Sequence, residues 1–426
     1  LGPELATLAS DPAQFDAALA LLRTFSLMDR QAETHHLSLH RLVQAVLKDS
    51  LVERDLHLWM TRALGAINHL FPVDEEQIGY WQRGERLLPH AQVCLSWREL
   101  GDEHVPQRIA LLNHVAAYIL RRSRLAEAES LYQQAYAEAE HTLGPEHLLF
   151  AETLDGLADL RMVHARYEEA EPLYQRAWHI RERALGGNHS QVATSLSGLA
   201  SLYWRQGNYG AAESHSQRSL AIRKRAFGSE HPQVASSLSQ LAIIYRTQGK
   251  YEQAESLYLQ ALHIREQAFG LADPHVALSF YSLAALYLEQ ARYEEATPLF
   301  FQAMRIWEEV LGPEDLDLAF ALNGLAKLLS DQERYEEAEA SFLRALRIRE
   351  PLLGSDHPQV AVVHHGLANL YLKQGRYERA EQHYQQALFI QETHLDQQHT
   401  DTAETLHDLA LLRQSQGNQS EAISLA

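Results

Sequence analysis

Residues 231–254 read HPQVASSLSQLAIIYRTQGKYEQA, and residues 357–380 read HPQVAVVHHGLANLYLKQGRYERA. Both stretches contain the pair Leu-Ala, which recurs along the chain at a constant spacing of 42 residues. We call the leucine of each pair the anchor of a repeat unit; the anchors are Leu157, Leu199, Leu241, Leu283, Leu325, Leu367 and Leu409. Val115-Ala116 stands one repeat length before Leu157, at the same position in the register. The sequence therefore predicts eight repeat units.

Small residues keep the same register within the units. An alanine follows each anchor by 13 residues, and an alanine or serine follows most anchors by 20 residues. A small residue is needed where two helices cross, because a larger side chain would push their backbones apart. The two sets are Ala128, Ala170, Ala212, Ala254, Ala296, Ala338, Ala380 and Ala422, and Ala135, Ala177, Ser219, Ala261, Ala303, Ala345 and Ala387. The pattern predicts two closely packed helices per unit.

Glycine and proline mark the ends of these helices. In unit seven the first helix is predicted from Pro358 to Gln374, and a short turn with Gly375 follows. Second helices begin near the motif Tyr-Glu-x-Ala-Glu and end at Leu-Gly or Phe-Gly, where a left-handed residue is expected after the helix. These final glycines are Gly144, Gly186, Gly228, Gly270, Gly312 and Gly354. In pairs such as His231-Pro232, the proline suits the first turn of the next helix.

The pattern Leu-Ala…Tyr…Gly-x-Tyr-x-x-Ala…Tyr…Ala resembles the tetratricopeptide repeat, whose usual period is about 34 residues. The extra residues of the 42-residue unit are expected to lengthen the second helix by about two turns. The 42-residue form is similar to the repeats of kinesin light chains and of many bacterial signalling proteins. The resemblance covers residues 107–426, with the eighth unit truncated. It implies an all-α fold, a right-handed superhelix (α-solenoid) that holds a protein or peptide in its concave groove.

The segments before the repeats have a different pattern. Phe15–Leu27 reads as an amphipathic helix, His36–Leu39 alternates like a strand, and Leu42–Leu51 is helical in pattern. This order suggests a small winged-helix-like segment over residues 1–51. Residues 52–106 are apolar with helical spacing and predict a helical connector to the array.

The stretch LSLHRLVQAVLKDSL, which starts at Leu37, resembles the junction between ATPase module and repeats in bacterial signalling ATPases of the STAND or NB-ARC class. In that family a Met-His-Asp motif senses the phosphate of ADP, and the matching residues here are Leu39-His40-Arg41. The resemblance makes His40 a nucleotide sensor in a longer parent protein; a simple buried or capping histidine is the equal alternative. No Gly-x-x-x-x-Gly-Lys-Ser/Thr loop occurs, so ADP or ATP is expected only in that parent.

Composition narrows the function further. The formal net charge is −19, which disfavours nucleic acid as a partner because phosphates need a basic surface. Cys94 is the single cysteine, so the chain has no disulfide and no cysteine cluster for zinc. No apolar run has the length of a membrane span. We expect a cytoplasmic protein that needs no membrane and no cofactor and has no enzymatic activity of its own.

Histidine is abundant, with 24 copies. Five of them share one position at the start of first helices and are expected to bond exposed backbone N–H groups there: His147, His189, His231, His357 and His399. His364, His365 and His407 reach the minimum number for a metal, but no acidic residue stands at a ligand spacing such as His-Glu-x-x-His. The sequence therefore predicts no metal site.

The family's groove positions lie five and two residues before each anchor, and two, five and six after it. Carried onto this chain, the resemblance gives Asp155, Asp159, Ser197, Ser201, Trp204, Arg205, Ser239, Arg246, Tyr281, Leu288, Phe320, Asn323, Lys327, His365, Asn369 and Lys373. These positions vary while the packing positions do not. Trp204, Tyr281 and Phe320 suit either ligand anchoring or packing between helices, and both roles stay open.

Two functions compete at this point. The first is the sensor region of a STAND-type signalling ATPase, in which the groove recognises a protein or peptide trigger. The alternative is a kinesin-light-chain-like adaptor or scaffold with no ATPase attached. The incomplete eighth unit leaves an apolar face uncapped, so we also expect its last helix to fray or to self-associate.

Overall fold

The computed structural model describes residues 28–31, 36–39, 53–73, 80–97, 101, 104–122, 124–164, 166–394 and 400–416. The chain divides into two compact regions. The N-terminal region consists of residues 1–73 and 81–115, and the repeat region consists of residues 74–80 and 116–426.

The N-terminal region contains a strand pair and helices. Strands β1 (Met28–Gln31) and β2 (His36–Leu39) are antiparallel, with Met28 opposite Leu39. The predicted strand at His36–Leu39 is thus confirmed. The helices predicted at Phe15–Leu27 and Leu42–Leu51, together with His40, lie outside the described residues.

Helices α1 (Glu53–Leu70) and α2 (Tyr80–Ser96) follow the strand pair. Leu64 and Ala91 are buried within them, and Phe71, directly after α1, is buried as well. Cys94 is also buried, and desolvation raises the pKa of its thiol to about 11. A thiol in this state is a small packing residue rather than a nucleophile.

The rest of the described chain consists of helices in the repeat register, and in units two to seven the two helices of each unit pack against each other. The first helices of the units are α3 (Val105–Arg121), α5 (Leu148–Val163), α7 (Ser190–Arg205), α9 (Pro232–Thr247), α11 (Pro274–Glu289), α13 (Leu316–Asp331), α15 (Pro358–Lys373) and α17 (Thr400–Ser415). The second helices are α4 (Leu125–Thr142), α6 (Tyr167–Leu185), α8 (Tyr209–Phe227), α10 (Tyr251–Phe269), α12 (Tyr293–Val310), α14 (Tyr335–Leu353) and α16 (Tyr377–His394). The predicted all-α solenoid is confirmed. The second helix expected in unit eight lies outside the described residues.

The recurrent histidines cap the first helices. The Nδ1 atom of His147, His189, His231 and His357 accepts a hydrogen bond from the backbone N–H two residues later, at 3.1 to 3.3 Å. Asp273 and Asp315 take over this role in units five and six. These bonds satisfy one of the N–H groups that a helix start leaves without a partner. The structural role predicted for the histidines is confirmed, except for His399, which is not described.

The turns between helices need a positive φ angle at fixed positions. Gly207, Gly249 and Gly375 supply it between the two helices of their units, with φ between 70° and 74°. In the same register, Ala291 and Glu333 adopt φ values of 56° and 61°. A side chain with a Cβ atom tolerates this conformation poorly, so the repeat geometry outweighs the local preference at these two positions.

The alanines predicted at the crossing points are buried. Ala170, Ala212 and Ala254 at one crossing, and Ala177 and Ala261 at the other, have no exposed surface. The register predicted from sequence therefore holds through the described units, and Ala422 lies outside them.

In most units an aromatic ring from the second helix packs on the next unit's first helix. The rings of Tyr132, Tyr174, Phe300 and Phe342 lie directly over Gly156, Gly198, Gly324 and Gly366. A Cβ atom at Gly324 would stand only 2.6 Å from Phe300 Cε1. In unit three the ring is replaced by Ser216, and in unit four the glycine is replaced by Gln240. We call this contact the ring–glycine seam.

Hydrogen bonds reinforce the contact between successive units. The hydroxyl groups of Tyr203, Tyr287 and Tyr371 donate to the carboxylates of Glu171, Glu255 and Glu339 at 2.7 to 2.9 Å. Each tyrosine lies on a first helix and each glutamate on the second helix of the preceding unit. Arg161 makes the equivalent bond to Glu129 at 3.1 Å. The units are thus joined by a polar ladder beside the apolar seam.

Two repeats that are far apart in the sequence also contact each other. Arg122 Nη1, at the end of the first helix of unit one, lies 3.6 Å from Asp315 Oδ2, at the start of the first helix of unit six. This pair links residues far apart in the sequence. Such a contact is expected of a superhelix and not of a straight stack.

We predict that Gly324→Ala destabilises the array by about 1–3 kcal/mol, because the new methyl group meets the Phe300 ring. Gly210→Ala is the matched control, since no atom lies within 4 Å of its added Cβ and a helical alanine is otherwise favoured. Urea denaturation of both variants measures the difference. Equal midpoints for the two variants would contradict the seam.

Candidate ligand-binding groove

A concavity of the described repeats lies among three first helices, α5, α7 and α9. It has a volume of about 250 Å³ and is lined by Met162, Val163, Ala200, Ser201, Trp204, Arg205, Gln240, Ile243 and Ile244. We call it the Trp204 pocket. Three of the predicted groove residues line it: Ser201, Trp204 and Arg205. Ala200 and Ser201 are small, which leaves the space that the larger neighbours enclose.

Internal contacts hold the walls of the Trp204 pocket in place. Trp204 donates from Nε1 to Thr247 Oγ1 at 2.8 Å, and the Arg205 guanidinium lies 4.8 Å from the Trp204 ring centre. Gln240 donates from Nε2 to Ser201 Oγ at 2.8 Å and to the Ser197 carbonyl at 2.7 Å. The pocket is therefore formed before any ligand arrives, which lowers the entropy lost on binding.

Acidic residues at the beginning of the groove have different environments. Asp155 is buried and forms an ion pair with Arg181, and Ser195 Oγ donates to it at 3.1 Å. Burial raises the pKa of Asp155, while Arg181 opposes the rise. Asp159 is exposed and accepts a hydrogen bond from Tyr174. Of these two predicted groove residues, only Asp159 presents its carboxylate to solvent.

Arg181 belongs to a series of buried or half-buried arginines that stand 24 positions after an anchor. Arg223 donates to Ser237 at 2.7 Å, and Arg265 donates to Ser239 at 3.2 Å and to Ser279 at 2.9 Å. Ser239, a predicted groove residue, is thus engaged by the second helix of its own unit. Ser197, its counterpart one unit earlier, shares a 2.8 Å hydrogen bond with Ser219.

Tyr281 and Phe320, two and five residues before the anchors of units five and six, have packing contacts. The Tyr281 ring centre lies 6.0 Å from that of Phe300 and 6.1 Å from that of Trp307. The Phe320 ring lies under the guanidinium of Arg349 at 4.6 Å. Of the two roles left open for the aromatic residues, the structure shows packing for these two and pocket lining for Trp204.

Arg349 lacks the acceptors that the other buried arginines have. Its Nη1 donates to the Gln359 carbonyl at 2.7 Å, but Nε and Nη2 find no acceptor in the described part of the chain. The residue that would correspond to Ser279 is Val363. Burial without an anion lowers the pKa of Arg349 to about 10. Among the arginines of this series, Arg349 has the most donor nitrogen atoms without an acceptor in the described part of the chain.

The remaining predicted groove residues lie along the later first helices. Arg246 lies 3.6 Å from Glu289, and Leu288 is partly buried against the core. Lys327 is exposed, whereas Lys373 forms a 2.5 Å ion pair with Asp331. Asn323 Oδ1 is buried with no hydrogen bond to a described residue. Asn369 accepts from Tyr384, and His365 Nε2 lies 2.8 Å from Asp408 Oδ2.

Several residues that shape these sites were not among those carried over from the family. Met162 and Ile243 line the Trp204 pocket from groove positions, five and two residues after their anchors, whereas Gln240 lies one residue before its anchor and outside the expected positions. Glu404 and Asp408 come close to His365 from the next unit. The 42-residue register could have indicated that Glu404 and Asp408 lie near His365, because facing positions on adjacent first helices are about one repeat apart in the sequence.

His364 lies on the other side of the same helix from the groove residue His365. Its Nδ1 is 3.0 Å from Nδ1 of His383, which also stacks on Tyr371. Burial and the neighbouring His383 lower the pKa of His364 to about 4. A neutral, packed histidine pair is therefore the state at neutral pH.

The fold and the pocket define a helical repeat protein with a preformed cavity on its first helices. A model of the tetratricopeptide repeat matches residues 107–177, 151–225, 191–267, 275–350 and 321–393, and a second such model matches residues 239–309. The chain therefore belongs to the tetratricopeptide repeat family. The comparison with curated proteins gives no match.

Several solved structures are similar to this chain, and those with a TM-score above 0.5 share its fold. BtubC (BKLC) from P. vanneervenii is 27% identical, with a TM-score of 0.43, covering 54% of this chain and 91% of its own. A Rap protein complexed with competence and sporulation factor is 15% identical, with a TM-score of 0.63, covering 86% and 95%. The quorum sensor NprR from B. thuringiensis is 15% identical, with a TM-score of 0.54, covering 88% and 97%. None of the described helices is long and apolar enough to cross a membrane.

The buried arginines give a paired prediction. Arg181→Met leaves the buried Asp155 carboxylate without its cation and should cost about 3–5 kcal/mol. Arg349→Met removes a buried charge that has no carboxylate partner among the described residues, so it should cost less than about 1 kcal/mol or stabilise the protein. Denaturation midpoints of the two variants provide the comparison. Equal losses would show that the ion pair has no special role.

Proposed function

We propose that this protein holds an extended segment of another protein along its first helices, with the Trp204 pocket as the main anchor. The observation that carries the proposal is a preformed cavity of about 250 Å³ between α5, α7 and α9. Packing within the repeat does not require a half-exposed tryptophan at this position. Buried aromatic anchors commonly dominate the energy of protein interfaces.

The lining of the pocket indicates the chemistry of the segment. Met162, Val163 and Ile243 offer an apolar surface, and Val163 is 42% exposed. Arg205 stands at the rim and is exposed. A segment with a bulky apolar side chain next to a carboxylate fits both features. Gln240 and Ser201 bond to each other and could exchange that bond for one to a peptide backbone.

The fold similarity to the Rap protein, which was solved with competence and sporulation factor, is compatible with this role but extends to the fold alone. The role rests on the groove of this chain. We further propose that the array is the sensor of a cytoplasmic STAND-type signalling ATPase, supported by the resemblance of the stretch LSLHRLVQAVLKDSL with His40. The kinesin-light-chain-like adaptor is the alternative. A phosphate-binding loop encoded upstream of Leu1 would favour the sensor.

The test is a binding measurement with peptides selected from a random library on the purified chain. Trp204→Ala should weaken the selected peptide by at least tenfold, because the substitution removes one wall of the pocket. Arg205→Gln should weaken peptides that carry an acidic residue more than their amide analogues. Fluorescence anisotropy gives the dissociation constants.

Phe389→Ala is the matched control for Trp204→Ala. Phe389 is an aromatic residue on second helix α16 with 68% of its surface exposed, far along the array from the pocket. It should leave the affinity unchanged. Equal effects of the two substitutions, or selected peptides that bind Trp204→Ala normally, would place the binding surface elsewhere.

A further inference from the structure

Three potential metal ligands meet between the first helices of units seven and eight. His365 lies on α15, and Glu404 and Asp408 lie one helical turn apart on α17. One ligand atom from each residue can be chosen so that all three atoms lie within 4.8 Å of one another. His365 is buried, Asp408 is half-buried and Glu404 is exposed. The group thus has a fixed inner side and an open outer side.

The repeat provides a comparison for these three residues. They stand two residues before anchor seven, and five residues and one residue before anchor eight. At the five interfaces between successive first helices from α5 to α15, the same three places hold Asp155, Thr194 and Gly198; Ser197, Ser236 and Gln240; Ser239, Leu278 and Ser282; Tyr281, Phe320 and Gly324; and Asn323, Val362 and Gly366. None of these five sets contains more than one potential metal ligand. Packing of the repeat therefore does not require histidine and two carboxylates here.

Asp408 also departs from the ring–glycine seam. Where Phe300 and Phe342 project, the facing residue is glycine, whereas the same place holds Gln240 opposite Ser216, Ser282 opposite Tyr258 and Asp408 opposite Tyr384. Tyr384 donates to Asn369, and Asn369 in turn bonds to Asp408. Of the residues that replace glycine, Asp408 alone carries a carboxylate, and neighbouring side chains orient it. Such oriented carboxylates are typical of metal ligands with an outer shell.

We propose that His365, Glu404 and Asp408 form a site for a divalent transition-metal ion of the zinc class. One imidazole nitrogen and two carboxylate oxygens suit this class, and three protein ligands leave a coordination position open. Metal-to-ligand distances are about 2.0–2.2 Å, so ligands on one ion are at most about 4.4 Å apart. The exposed Glu404 side chain can close the small difference by rotation.

The site would join α15 to α17 and fix one end of the groove. It lies several units from the Trp204 pocket and does not depend on peptide binding there. Its open coordination position faces the same row of first helices, where a donor from a bound segment could complete it.

The experiment is calorimetric titration of the chelator-treated chain with zinc chloride. We expect one zinc ion per chain. His365→Asn should abolish this binding, and Glu404→Gln and Asp408→Asn should each weaken it by more than tenfold. Asn369→Ala should weaken it by about 10–100-fold, as expected for an outer-shell partner. Trp204→Ala should bind zinc normally, which separates this inference from the proposed function.

Two histidine variants serve as controls for adventitious binding. His263→Asn removes an exposed histidine on second helix α10 and should have no effect. His383→Asn probes the neighbouring histidine pair and should retain the zinc ion. Circular dichroism verifies the fold, and Glu404 is exposed, so its amide variant should fold normally. Unchanged binding in Glu404→Gln and Asp408→Asn, loss in His383→Asn instead, or no stoichiometric binding at all would overturn the proposal.

Discussion

The contact on which the array depends is the aromatic ring that most second helices place on the next unit's first helix. Where the ring is Tyr174 or Phe300, the facing residue is a glycine, since a Cβ atom would clash with the ring. Where the ring is missing, at Ser216, the glycine is also missing, and Gln240 at its place bonds to Ser197 and Ser201. The ladder of tyrosine and glutamate side chains runs beside this seam.

A constant seam leaves the outward-facing positions of the first helices free to differ. In units two to four these positions form a pocket around Trp204, whereas in units five and six Tyr281 and Phe320 are used for packing. The same scaffold thus gives one part of the groove a cavity and another part a filled surface. The groove therefore differs along the array, and its first half contains the candidate ligand site, the Trp204 pocket.

Much of the fold followed from local patterns in the sequence. Helix starts, histidine caps and glycine turns were predictable because each depends on residues that are close in the chain. Whether a groove residue is exposed, buried or paired was harder to predict, because this depends on residues one helix or one repeat away. Asp155 is buried by Arg181, and Asp408 approaches His365 from the next unit. A spacing motif within one helix cannot detect either pair.

The central claim is that the first helices around Trp204 receive an extended ligand while the second helices serve as scaffold. Hydrogen exchange, measured with and without a peptide selected on the purified chain, tests it most directly. We expect slower exchange in α5, α7 and α9 (Leu148–Val163, Ser190–Arg205 and Pro232–Thr247), with little change in the outer second helices. Protection confined to the second helices, or to residues before Val105, would contradict the account.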